Sequence, residues 1–375
     1  PMKTTPASNM DVKRRNRTNT LRCILSCERI SQMELSQQLA LSWPTILQNV
    51  KELVELGLVQ EVGQYESTGG RKAKAYAPVR EARLAIGLDL TGNHVSVVLV
   101  DLSGQVVRYQ RKSRPFSLDG AYLQGLGELV QSVMGDAPAG EAILGVGISL
   151  PGIVDSEAGL LRYSHILDLR DVPLDMLSRH IPYPCGFLND ANAAGFAEIY
   201  GASTAGNLVY LSLSNSVGGA ILADGSPYMG NHLRAGEFGH NTLVPGGRRC
   251  YCGKEGCLDA YCSARVLSDQ AEGNLAAFFD GLREGGAEKQ AVWREYLEYL
   301  SIAVNNLHMS FDCDVIVGGY VGAFLEEFGG PLRPLLEERN TFRPDASYLK
   351  FCRYRLEASA VGAALAQIEQ FLQTV

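Results

Sequence analysis

Two segments of this chain carry the same pattern about 120 residues apart. The first is "RLAIGLDLTGNHVSVVLVDLSGQVVRYQRK" from residue 83, and the second is "NLVYLSLSNSVGGAILADGSPY" from residue 207. Each reads as short β-rich runs broken by tight turns, a meander of strands. A chain that repeats a meander is expected to build two similar lobes facing a cleft. Between the copies, "AILGVGISLPGIVD" reads as a buried strand that breaks at Pro151 and Gly152. "CGFLNDANAAGFAEIYG" reads as a strand running into an alanine-rich helix, with Asn189 and Asp190 at the junction. Polar residues at the carboxyl end of a strand in an α/β domain sit where ligands bind. A carboxylate in the first turn of a helix also suits the helix dipole, so Asp190 has two readings at this point.

Charge divides the chain more sharply than its total of −7 implies. Residues 1–80 hold 12 Lys and Arg against 7 Asp and Glu, a balance of +5, which leaves 22 against 34, a balance of −12, for the rest. A small basic module joined to a large acidic one points to an anionic partner for the first module only. No apolar run approaches the roughly 20 residues needed to cross a bilayer, and no secretory leader is visible, so a cytoplasmic location is expected.

The basic module reads as three amphipathic helices and a hairpin. Leu21, Ile24 and Leu25, then Met33, Leu35 and Leu39, then Ile46, Val50, Leu53 and Val54 recur at helical spacing. Ser42 suits an N-cap, Pro44 the first turn and Gly57 the C′ position of the third helix. The short link "ALS" between the last two helices is what a helix-turn-helix requires. The second helix of such a motif reads base edges with its N-terminal residues, here Ser42, Trp43, Thr45, Gln48 and Asn49, with Lys51 available to a phosphate. If Trp43 packs inward, reading falls to Thr45, Gln48 and Asn49. The stretch "GGRKAK" places Arg71, Lys72 and Lys74 at the tip of a wing, a shape that can put arginine into a narrow minor groove. A small docking domain is the alternative reading of these helices.

The remaining chemistry is concentrated in "GEFGHNTLVPGGRRCYCGKEGCLDAYCS", residues 236–263, with four of the chain's nine cysteines. His240, Cys250, Cys252 and Cys257 offer one imidazole and three thiolates, a set that suits tetrahedral zinc and leaves no open position, so the site would be structural. Glycines at 246, 247, 253 and 256 allow the tight folding this needs. A chance cluster of thiols is the competing account, and Cys262 reads as a buried thiol.

In "STGGR", "GISLPGIVD", "LNDANAAGFAE", "GEFGH" and "CYCGKEGCLDAYCS", in that order and spacing, the chain resembles the ROK family (repressors, open reading frames and kinases) and specifically its repressor branch. The resemblance implies an α/β architecture. A winged helix-turn-helix over 1–80 precedes a two-lobed actin-like (sugar kinase, Hsp70) domain, with 84–200 and 357–375 forming the first lobe and 201–356 the second. It implies zinc on His240, Cys250, Cys252 and Cys257, and a sugar site of Asn189, Asp190, Glu237, His240 and Asp259, with His240 shared between metal and sugar. Asp259 stands where the family has Glu.

The resemblance also sets a test for kinase activity. The family's glycine-rich phosphate turns read "DLTGNH", "SNSVGGA" and "VGGYVG" here, with Thr91, Asn93, His94, Ser214, Ser216 and Tyr320 at altered positions. Phosphate cradles need backbone N–H groups exposed by residues without Cβ. The expectation is therefore a regulator with no catalytic residue. It would bind operator DNA and a small sugar or sugar phosphate, as a homodimer or homotetramer, with no membrane association. A kinase fused to a DNA-binding head and a repressor controlled by a protein partner are the alternatives. The C-terminal "RLEASAVGAALAQIEQFL" is expected to form a small-residue helix packed across the first lobe.

Overall fold

The computed structural model describes residues 9–64, 73–135, 142–201, 206–342 and 344–375. The head comprises α1 (Asn9–Leu25), β1 (Ile30–Ser31), α2 (Gln32–Leu39), α3 (Trp43–Glu55), β2 (Val59–Gln64) and β3 (Lys74–Pro78), its strands ordered β1-β3-β2. Leu21, Ile24, Leu35, Ile46, Val50 and Leu53 close its core. The helix ends follow local chemistry. Ser31 and Glu34 form a reciprocal capping box on α2, Ser42 caps α3 by accepting from the Thr45 N–H, and Gly57 takes a φ of +70° after it. Two expected core residues lie outside the core: Met33 is on the face of α2 opposite Leu35, and Val54 is rotated off the stripe of Ile46, Val50 and Leu53. The expected wing tip with Arg71 and Lys72 lies outside the described residues.

The two lobes share one topology. In the first, the meander β4 (Leu84–Leu90), β5 (His94–Asp101) and β6 (Val106–Ser113) is followed by α4 (Gly120–Met134) and two strands parallel to β4. These are β7 (Ile143–Leu150) and β11 (Cys185–Asn189), giving the order β11-β7-β4-β5-β6. A small antiparallel sheet, β8 (Ile153–Asp155), β9 (Leu160–Ser164) and β10 (Leu169–Pro173), is inserted before β11. In the second lobe, the meander β12 (Leu208–Leu213), β13 (Val217–Ala223) and β14 (Ser226–Pro227) pairs with parallel strands β15 (Asp314–Gly318) and β16 (Leu349–Phe351), giving β14-β13-β12-β15-β16. The duplication legible in the two meanders thus extends to all five strands of each sheet. Where the first lobe crosses over through α4, the second inserts 228–313, which carries the cysteine cluster and ends in the 25-residue helix Ala287–Phe311.

Burial of β4 on both faces explains its nearly continuous apolar run, interrupted by Asp89, because helices cover both sides of its sheet. One face packs on α4; the other packs on the C-terminal helix Ala358–Leu372. That helix approaches its neighbours at backbone contact. A Cβ at Gly147 of β7 would collide with the Ala363 carbonyl, and a Cβ at Gly362 would collide with the Ala193 carbonyl of helix Asp190–Ile199. The head docks on the same helix. Arg17 donates to the Val375 carbonyl at 3.0 and 2.9 Å, Thr18 to the Leu372 carbonyl at 3.0 Å, and Arg22 to both Glu369 oxygens at 2.6 Å. Buried residues of the head, of this helix and of helix Asp190–Ile199 belong to a single hydrophobic cluster. No helix among the described residues is long and apolar enough to cross a membrane.

The close approach is testable. Gly147→Ala is expected to cost about 1–3 kcal/mol of stability by overpacking, read as a lower midpoint of denaturation. Gly120→Ala, where nothing lies within 4 Å of the added Cβ, is expected to stay within about 0.5 kcal/mol of the parent.

Candidate functional sites: cleft, cysteine cluster and DNA-facing helix

The lobes enclose a cleft of about 1340 Å³ whose walls include Asn189, Asp190, Glu237 and His240. Asn189 ends β11 and caps the next helix: its side-chain oxygen accepts from the Asn192 N–H at 3.0 Å, and its amide donates to the Gly152 carbonyl at 2.9 Å. The turn at Pro151–Gly152 is thereby fixed against the helix start. Asp190 is partly open to the cleft and walled by protein on its other sides. Desolvation, the nearby Asp89 carboxylate and Glu237 push its carboxyl up to about 7, against a 2.9 Å bond from the Ala191 N–H. Asp89 is pushed up to about 6 by burial, opposed by the Ser149 hydroxyl at 2.6 Å and the Arg111 charge. Glu237 is raised by desolvation against Arg234, and it is exposed on the cleft side. Its position depends on Gly236, which has a φ of +87° and no room for a Cβ against the Gly219 carbonyl of β13.

Asp259 does not line the cleft. It is buried, and its carboxylate accepts from the Val217 N–H at 2.6 Å. The expectation that it binds sugar is corrected on that ground: its short side chain is turned into the second lobe's first hairpin and spent on backbone.

The ligand atoms of His240, Cys250, Cys252 and Cys257 all lie within 4.8 Å of one another. Cys252 and Cys257 sulfurs are 3.7 Å apart, close to the ~3.8 Å separation that tetrahedral Zn–S bonds of about 2.3 Å impose. His240 turns Nδ1 toward Cys250 Sγ at 3.9 Å. Cys262 is fully buried outside the cluster, and burial drives its thiol far above the usual range. The other imidazole nitrogen, Nε2, is 3.3 Å from the Tyr251 hydroxyl. Tyr251 stacks on His165 of the first lobe at 4.7 Å, and His165 Nδ1 is 3.1 Å from the Tyr163 hydroxyl. A second bridge joins the lobes where Arg111 lies over the Tyr320 ring at 5.4 Å and donates to its hydroxyl at 3.4 Å. Sequence reasoning missed Tyr251, His165 and Arg111. The only signal was the place of Tyr251 between two candidate ligands, and nothing local marks its partners.

The altered turns have definite geometry. The Thr91 hydroxyl accepts from the His94 N–H at 3.0 Å, closing the first turn on itself. In the second, Ser212 and Ser214 hydroxyls face each other at 3.3 Å, and the Val217 N–H is held by Asp259.

On the head, α3 exposes Ser42, Trp43, Gln48 and Lys51, with Thr45 half-buried. Asn49 is 1% exposed and donates to the Thr20 hydroxyl at 3.0 Å, so it joins α3 to α1 and cannot reach a base edge. Leu47, passed over in the sequence, is 49% exposed.

Duplicated sheets around a polar cleft, with a helix-turn-helix head on the first lobe, define an actin-like, sugar-kinase-type protein carrying a DNA-binding module. The chain belongs to the ROK family, whose model matches residues 85–369, and a model described as winged helix-turn-helix DNA-binding matches residues 13–60. A xylose repressor of Caldicellulosiruptor bescii is 27% identical over 354 residues, covering 88% of this chain and 89% of that protein. A solved ROK family transcriptional regulator, a homologue of the E. coli MLC protein, shares the fold with a TM-score of 0.72 and 21% identity, covering 97% of each chain. A ROK hexokinase from Thermus thermophilus aligns with a TM-score of 0.63 and 26% identity, over 78% of this chain and 100% of that one.

The Asp190 carboxyl gives a signed prediction. Its folded pKa of about 7 lies above the usual 3.8, so the folded state binds this proton more tightly than the unfolded state does. Stability is complete below the unfolded value and is lost as pH rises through the folded one. Asp190→Asn removes that titration. Its stability relative to the parent is expected to be unchanged near about pH 3 and to rise to a gain on the order of 4 kcal/mol by about pH 8 in denaturation curves. A constant offset across that range would contradict the assignment.

Proposed function

We propose that this chain is a sugar-responsive DNA-binding transcriptional regulator, a repressor of carbohydrate genes, acting in the cytoplasm as a homodimer or homotetramer on a two-fold symmetric operator. The effector, a small sugar or sugar phosphate, lies between the lobes on Asn189, Asp190, Glu237 and His240. Carboxylates and an amide suit hydroxyl recognition because each engages two neighbouring hydroxyls. The observation that carries the reading is the C-terminal helix: it lies against the helix that begins at Asp190 and also receives the head through Arg17, Thr18 and Arg22. A ligand that favours one lobe arrangement shifts the population of head positions and so operator affinity.

Zinc on His240, Cys250, Cys252 and Cys257 serves as a closed structural clamp and supplies no chemistry. It fixes the loop that presents His240 to the cleft, and the donor set with its spacing supports this assignment. Two hydrogen bonds within the altered turns support a regulator over a kinase. His94 donates to Thr91 and Val217 donates to Asp259, which leaves neither for a nucleotide. Asp190 then acts as a sugar ligand with no nucleotide beside it.

A melting screen over sugars, sugar phosphates and Mg-ATP, with and without a zinc chelator, tests the reading. One carbohydrate is expected to raise the midpoint and Mg-ATP to leave it flat; transfer of phosphate to a sugar would overturn the regulator account. Metal analysis is expected to find one zinc per chain. Chelation or Cys257→Ser should lower the midpoint and abolish the carbohydrate shift, whereas an unchanged midpoint would remove the clamp.

A further inference from the structure

On this DNA-binding reading, we infer that α3 reads its operator chiefly through thymine methyl groups, contacted by Trp43 and Leu47. The polar residues that base-edge reading would use are committed elsewhere. Asn49 is buried against Thr20. Thr45 shares its hydroxyl with Ser42 at 2.8 Å, and the Gln48 amide donates to Glu52 at 2.7 Å. Glu52 is itself anchored by Lys13 and Arg17, and the Gln48 and Lys13 bonds hold its carboxyl down to about 2, so it remains an acceptor for Gln48. Releasing Gln48 to a base would leave that network short of a donor.

What α3 presents outward is a stripe at four-residue spacing, Trp43, Leu47 and Lys51. Trp43 is 52% and Leu47 49% exposed, two large apolar side chains on the N-terminal half of the helix that such motifs insert into the major groove. Lys51, one turn further, meets the phosphate backbone beside it. The +5 balance of residues 1–80 against −12 for the rest makes a polyanion the complementary occupant of this face. In the major groove the apolar feature of a base pair is the thymine C5-methyl group, and apolar side chains read it by contact.

The test starts from a duplex recovered by the full chain from random sequence. Each thymine in turn is replaced by deoxyuridine, which deletes the methyl and keeps every hydrogen-bonding group. Substitution at the contacted positions is expected to weaken binding about fourfold each, the affinity equivalent of one buried methyl-sized group. Leu47→Ala and Trp43→Ala should each lose the discrimination at the position that side chain covers, and Leu47→Met should retain it. Melting midpoints check that the variants stay folded. Sequence-specific binding with equal affinity for thymine and deoxyuridine at every position overturns this inference and leaves the regulator reading standing. Recovery of no preferred sequence overturns both.

Discussion

The C-terminal helix Ala358–Leu372 can occupy its place only because glycine faces it. At Gly87, Gly147 and Gly362 the backbones approach so closely that a single added carbon would meet a carbonyl. Such contact leaves no slack, and packed interfaces of this kind switch between discrete arrangements more readily than they deform. The helix touches the first sheet, the helix that begins at Asp190 and the first helix of the head. A change in how the lobes meet around Asp190 therefore reaches the Arg22–Glu369 pair and the Arg17 and Thr18 contacts through one element. The head is thus more than a bead on a linker: its core is continuous with that of the first lobe.

Arg111 on Tyr320 and His165 on Tyr251 tie the lobes together at two separate points. On the proposed sugar site, an effector hydroxyl approaching Nε2 of His240 would meet the Tyr251 hydroxyl, whose ring stacks on His165. The cysteine cluster stands behind this arrangement, holding His240 by the opposite nitrogen.

Much of this was legible in the sequence because it depends on local chemistry. The meanders, the capping serine at 42, the strand-to-helix junction at Asn189 and the four clustered donors all arise from residues near one another in the chain. What escaped was long-range or a matter of phase. Asn49 looks like a base reader until α1 brings Thr20 to it, and Met33 has the right composition on the wrong face of a short helix. Asp259 matches a ligand position, yet its shorter side chain is captured by a backbone N–H 42 residues earlier. The docking of the head through Arg22 and Glu369 joins residues 347 apart, and no local pattern announces such a pair.

The claim that one helix couples cleft to head is tested most directly by measuring operator affinity against the concentration of a stabilising carbohydrate. The account predicts a change in operator Kd of at least about fivefold, half complete at the concentration where the carbohydrate itself half-saturates the protein. A carbohydrate that binds the cleft and leaves operator affinity untouched would contradict it.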